Sequence, residues 1–211
     1  MGRWIGSACR SRLVAFLTAG NNSLFCGTVT LLFLLLGGCS SVVVLQPLPQ
    51  VTDPQEQSML AGEWLTEDTV VTLRFSSKGI GCLAGLDWRD DHFQLDEGDL
   101  IVTKSGDKKY FSVRFRENGK WQEWYYFVRY LLTEWDDLII WPPVVGSFEN
   151  AVASGVLQGT VEKGTGGTRV TMTSSPEKLL DFLDGQGDGL LFHYEEPIVL
   201  RRLFPRPGMR R

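Results

Sequence analysis

The side chains that could carry chemistry in this sequence gather in a few places. Asp87, Asp90, Asp91, Asp96, Glu97 and Asp99 surround His92. A carboxylate–imidazole cluster can hold a metal ion or exchange protons as an acid/base pair. The spacing matches no named metal site, and dense charge runs are ordinarily solvated loop faces. His193 is the only other histidine, so a multi-histidine zinc centre is excluded. Asp184, Gln186 and Asp188, with Glu195 at the twelfth position, have the spacing of a calcium-binding loop. Gln186 occupies a position that favours Asp or Asn, and Pro197 would break the helix that should follow. The segment therefore reads as a glycine-rich turn between a helix and a strand. Residues 164–167 lack the Lys-Ser/Thr of a phosphate-binding loop and read as a hairpin connection. Cys82, between Gly81 and Leu83, reads as a small buried hydrophobe. No catalytic residue, metal ligand or cofactor is expected, and the protein is expected not to be an enzyme.

The N-terminus points to chemistry of another kind. Arg3, Arg10 and Arg12 are the only charges in residues 1–38, an apolar run extends from Val29 to Leu36, and Gly37-Gly38-Cys39 follows. A basic start, a short apolar core and small residues before a cut site describe a secretory signal. The core at residues 31–36 is far short of the ~20 apolar residues of a spanning helix. Leu36-Gly37-Gly38-Cys39 resembles the lipobox of bacterial lipoproteins. The resemblance implies that residues 1–38 are removed, that Cys39 becomes the first residue, and that it carries the lipid. Ser40 stands where an acidic residue would mark inner-membrane retention, so the implied destination is the periplasmic face of the outer membrane. Cys9 and Cys26 would leave with the signal, and Cys82 would then have no disulfide partner.

Residues 1–38 hold three arginines and no acids, so the remaining 173 residues carry a net charge of −7. That balance argues against nucleic acid and against a polybasic membrane-binding face. The membrane partner would be reached through the lipid on Cys39 instead. A composition of 43% hydrophobic and 22% charged residues excludes a disordered chain, a collagen-like fibre and a polytopic membrane protein.

The elements that must position any site are mostly strands. Residues 39–58, with Pro47, Pro49 and Pro54 among glutamines, read as a flexible tether. Residues 59–204 read as the folded domain and residues 205–211 as a basic tail. Period-2 alternation puts Val71, Leu73 and Phe75 on one face, and Phe111, Val113 and Phe115 on another. Residues 124–132 are apolar on both faces. Asn118-Gly119 predicts a type I′ hairpin. A two-residue loop there pairs Glu117 with Lys120, Arg114 with Glu123, Val113 with Trp124 and Phe111 with Tyr126. One helix is expected, capped by Ser175, opened by Pro176, striped by Leu179, Leu180, Phe182 and Leu183, and ended by Gly185. The expected fold is mainly β: an antiparallel up-and-down barrel with one short helix before the last strand.

Gly62-Glu63-Trp64 before the first strong strand resembles the Gly-x-Trp signature that opens lipocalins. Thr133-Glu134-Trp135, between two strands, is similar to the second lipocalin motif, and Arg169 with its following helix is similar to the third. Glu134 and Trp135 depart from the family pattern. The resemblance covers residues 62–203. It implies that Gly62, Trp64 and Arg169 close one end of the barrel, with the arginine on the face of the indole. Arg201 and Arg202 are alternatives for that arginine.

Six tryptophans remain after residue 38. If residues 124–132 turn one face inward, Trp124, Tyr126, Val128 and Tyr130 would line a pocket for a lipid or another small apolar ligand. The alternative is a filled core and an exposed patch that docks on another envelope protein. Both readings make this a non-enzymatic, lipid-anchored envelope protein. Labelled palmitate is expected to be incorporated by the wild type and not by Cys39→Ala; label retained in the variant would refute the lipobox assignment.

Overall fold

The computed structural model describes residues 40–51, 53–66, 69–89, 92–165 and 167–204, with the backbone alone at 87–89, 92 and 188. Cys39, the signal segment, Asp90, Asp91 and the basic tail lie outside the described residues. Eight antiparallel strands close into a barrel. They are β2 (Gly62–Leu65), β3 (Val70–Phe75), β4 (Gly81–Arg89), β5 (His92–Ser105), β6 (Lys108–Glu117), β8 (Tyr125–Leu132), β9 (Asp137–Trp141) and β12 (Ile198–Arg202). Consecutive strands pair as neighbours, β12 joins β9 to β2, and β6 pairs with β8 to close the ring. The alternation read from the sequence is the reason. Val71, Leu73, Phe111, Val113 and Phe115 all enter one buried cluster, while the residues between them face outward.

The Asn118-Gly119 turn has positive φ at both residues, 50° and 77°, as a type I′ turn requires. Glu117 faces Lys120 on β7 (Lys120–Trp121), as expected. The same register holds for Arg116 and Trp121 and fails beyond them. Val113 faces Tyr126 and Phe111 faces Val128, two residues further along than a regular hairpin would put them. The extra length is taken up at residues 122–124, where Gln122 is buried and its N–H donates to Phe115 O at 3.0 Å. On that side Arg114 lies over Tyr125, at 5.0 Å, rather than opposite Glu123; on its other side it faces Asp99 of β5 and bonds it at 2.8 Å. A slip of two leaves every side chain on its original face, so Tyr126, Val128 and Tyr130 still point into the barrel.

The segment read as a tether is part of the fold. β1 (Ser41–Val44) pairs antiparallel with β8 at Val43–Tyr126 and parallel with β11 (Gly167–Met172), which in turn pairs with β10 (Gly159–Gly164). Val42, Val43, Val44 and Leu48 are all buried. Three consecutive valines have apolar surface for both faces of a strand, and both faces are covered here. Pro54 does not keep the chain extended; it opens α1 (Pro54–Leu60), with Asp53 as its cap.

β10, β11 and β1 form a three-stranded extension on the barrel wall. A second core fills the space between this extension, the outer face of β6 and β8, and three helices: α2 (Val145–Ala153), α3 (Pro176–Gly185) and α4 (Asp188–Leu191). α3 has the expected cap, Ser175, and buries Leu179 and Leu183. α2 was not legible. It has no side-chain cap and opens Val-Gly-Ser, and its buried residues are Phe148 and Ala151 alone. The double-sided strand is explained by this arrangement. Phe127 leaves the barrel and meets Phe148 and Phe192 edge-on, at 5.4 and 6.2 Å between ring centroids.

Val43→Asp separates the two readings of the N-terminal segment. It puts an unpaired charge at a fully buried strand position, and is expected to cost about 4 kcal/mol or more. The check is the urea midpoint, which a flexible tether would leave unchanged.

Candidate functional site

One end of the barrel is closed by a polar cluster around Trp64. The indole is fully buried, its N–H donates to Leu60 O at 2.9 Å, and a guanidinium lies 4.1 Å from its centroid. That guanidinium belongs to Arg202, not Arg169. Arg202 pairs with Asp136 at 2.8 Å, with both side chains 4% exposed. It also donates to Ala61 O at 2.7 Å and to Met59 O. Gly62 has φ 140°, and a Cβ there would collide with Arg202 Nη1; the glycine is required by this close approach. Arg169 lies on β11 in the extension, outside the barrel, and its guanidinium covers Trp124 at 4.9 Å. The motif resemblance thus located Gly62 and Trp64 and misplaced the arginine. The physical reason is register: Arg202 is opposite Trp64 across β12 and β2. Asp136, in the β8–β9 turn with φ 66°, carried no recognisable signal.

α1 lies over the same end. Its Glu56 is buried, pairs with Lys109 at 2.7 Å, and accepts a hydrogen bond from Tyr130 OH at 3.0 Å. Burial, and then the Glu56 carboxylate, push the Tyr130 phenol well above its ordinary value. Tyr130 therefore stays protonated as a donor, and its ring stacks on Phe111 at 3.8 Å. Glu56 lay in the stretch read as tether, where nothing marked it for burial.

The barrel interior leaves little space. The cavity lined by Tyr126, Val128, Leu138, Ile140 and Leu200 measures about 50 Å³, against ~300–1,000 Å³ for ligand pockets. Of the four residues expected to line a pocket, Tyr126 and Val128 border this cavity. Tyr130 is packed against Phe111 and Glu56, and Trp124 sits half-covered under Arg169.

The larger concavity is a groove of about 560 Å³ in the flank of the barrel. β9 stops at Trp141, opposite Arg129, because Pro142 and Pro143 lack the N–H groups to continue a ladder. β1 takes up β8 only from Val43 onward. The groove opens where the wall changes from one strand to the other. Ser40, Ser41 and Val42 form one bank, and Pro142 to Gly146 with His193, Glu196 and Pro197 form the rest. Tyr126 and Ile198 line both the groove and the interior cavity.

The acidic stretch lies on strands rather than in a loop. Asp99 and Glu97, on the outer face of β5, meet Arg114 and Arg116 of β6 at 2.8 and 3.5 Å. Among the described residues no group of three or more His, Cys, Asp and Glu side chains could hold a metal ion. Asp184 ends in a bond with Ser105, and α4 begins four residues later, inside the span of the calcium-loop spacing. Cys82 is half-buried on the outer face of β4, opposite Asp99, rather than in the core. The outer face of β2 to β5 is apolar near the β4–β5 hairpin. Leu65, Val70, Leu86 and Leu95 face one another in one cross-strand row. Phe93 is 65% exposed, Leu95 45%, Leu86 42% and Leu65 38%.

The fold and its surfaces define a mainly β protein built on a closed eight-stranded antiparallel barrel. Comparison with models of known families, with curated proteins and with solved structures finds no match.

Trp64→Ala is expected to cost ~3–5 kcal/mol, the range for deleting a large buried aromatic. Arg202→Ala should cost about 3–5 kcal/mol, because Asp136 is left buried without its cation. Arg169→Ala, away from the barrel end, should cost clearly less than either. Denaturant unfolding of the three variants checks the order.

Proposed function

We propose that this is a non-enzymatic, lipid-anchored protein of the cell envelope that works as a docking or assembly module. The observation that carries the reading is the contrast between the inside and the outside of the barrel. The interior is filled down to about 50 Å³, so its centre has no room for a ligand of ordinary size. The outer row from Leu65 to Leu95, with Phe93 beside it, exposes large apolar side chains on adjacent strands. Contiguous exposed apolar surface on a soluble domain is characteristic of protein contact sites. Part of the opposite flank of the same barrel is buried under α2, α3 and α4, whereas the β2–β5 row is open to a partner. The lipobox resemblance at Leu36-Gly37-Gly38-Cys39 supports anchoring at the periplasmic face of the outer membrane. The acidic balance of the mature chain supports a protein partner over nucleic acid.

A photo-crosslinking residue at Phe93 or Leu95 should give a discrete adduct with an envelope protein in living cells, and one at the exposed Asn150 on α2 should not. Leu86→Glu should abolish the adduct formed at Phe93, with stability changed by no more than about 0.5 kcal/mol. Adducts that are absent or indifferent to Leu86→Glu would overturn this reading.

A further inference from the structure

We infer that the flank groove is the seat of one acyl chain of the lipid on Cys39, so that the protein shelters part of its own anchor. The inference rests on the lipoprotein reading above and goes beyond it. Ser40 and Ser41 line the groove. Ser40 is held there, its hydroxyl accepting from Thr168 N at 3.1 Å, and Ser41 is paired with Arg169 on β11. The residue bonded to Ser40 is Cys39, so a lipid on it is tied one residue from the groove lining.

The chemistry of the walls fits that occupant. Val42, Val144 and Val145 are aliphatic, and Pro142, Pro143 and Pro197 offer no N–H donors. A hydrocarbon chain leaves no hydrogen-bonding group of its own unsatisfied against such a surface. Tyr126 and Ile198 line both the groove and the interior cavity, so the groove adjoins the barrel core there. His193, Glu196, the two serines and the Tyr126 phenol supply polar groups along the groove, suited to the polar end of the lipid. The volume of about 560 Å³ is that of a ligand pocket. One chain in the groove is hidden from water while the protein moves between membranes, and is released where a bilayer competes for it.

The experiment compares the lipidated protein, freed of detergent, with the mature chain from Ser40 secreted without lipid; residues 40–204 are the folded body described above. The probe is a fluorescent sixteen-carbon fatty acid, and intact mass reports whether Cys39 is acylated. The unlipidated chain should bind the probe, and the lipidated protein at least tenfold more weakly, because its own chain holds the groove. Gly146 lines the groove, and a Cβ there meets nothing within 4 Å. Gly146→Trp should therefore lower probe binding by the unlipidated chain at least tenfold without changing its melting temperature. Equal probe binding by the two forms would overturn the inference, as would no binding by either or binding indifferent to Gly146→Trp. A mass showing unmodified Cys39 would instead overturn the lipoprotein reading, and the occupant with it.

Discussion

β8 buries side chains on both of its faces around Tyr126–Val128, and much of the molecule is arranged around that constraint. Tyr126, Val128 and Tyr130 fill the barrel from one face. From the other, Phe127 enters the second core, against Phe148 and Phe192. A strand in a bare barrel turns one face to water; here Phe127, on the outward face, is fully buried instead, while Leu131 near the end of the strand stays exposed. The extension of β1, β11 and β10 and the helices behind it cover that second face. The two edges of β8 are used as fully. β6 closes the barrel on one side, while β9 and β1 share the other. The handover between β9 and β1, forced by Pro142-Pro143, creates the groove.

The barrel end shows the other cost of burial. Arg202 and Asp136 are charged and almost wholly inaccessible. Such a pair is tolerated when its remaining polar groups are also satisfied. Here the guanidinium meets a carboxylate, two backbone carbonyls and an indole face. Those carbonyls belong to Met59 and Ala61, at and just beyond the end of α1, so the ion pair also fixes the helix that lies over the opening. The Glu56–Lys109–Tyr130 network ties the same helix to β6 and β8. Closure at this end is polar and specific, whereas the barrel centre is apolar and filled.

With the centre filled, both proposed roles use the outside of the barrel. The barrel acts as a rigid frame with two unlike flanks: a covered flank, in which strand changeover leaves a groove beside the start of the folded chain, and an open flank with an apolar cross-strand row. The anchoring and docking roles proposed for this protein divide along that line. In that proposal the groove takes the anchor and the β2–β5 face meets the partner.

What the sequence alone determined was local. Alternation identified the inward faces of β3 and β6, because a strand's side chains change face at every residue whatever it pairs with. Asn118-Gly119 determined the turn, through backbone freedom at two positions, and Ser175-Pro176 the start of α3, through the cap and the fixed φ of proline. Gly62 and Trp64 were legible through a motif. The tertiary structure decided everything that depends on which surfaces meet. Three valines after Ser41 become a strand only because β8 and β11 flank them, and the prolines around them suggested an extended tether instead. The two-residue slip after the hairpin is taken up in the irregular segment at residues 122–124, which no turn rule contains. Which arginine covers Trp64 is decided by the register of β12 against β2. Arg169, Arg201 and Arg202 are chemically identical in the sequence, and only Arg202 is carried by the ladder to the place where the indole and Asp136 meet.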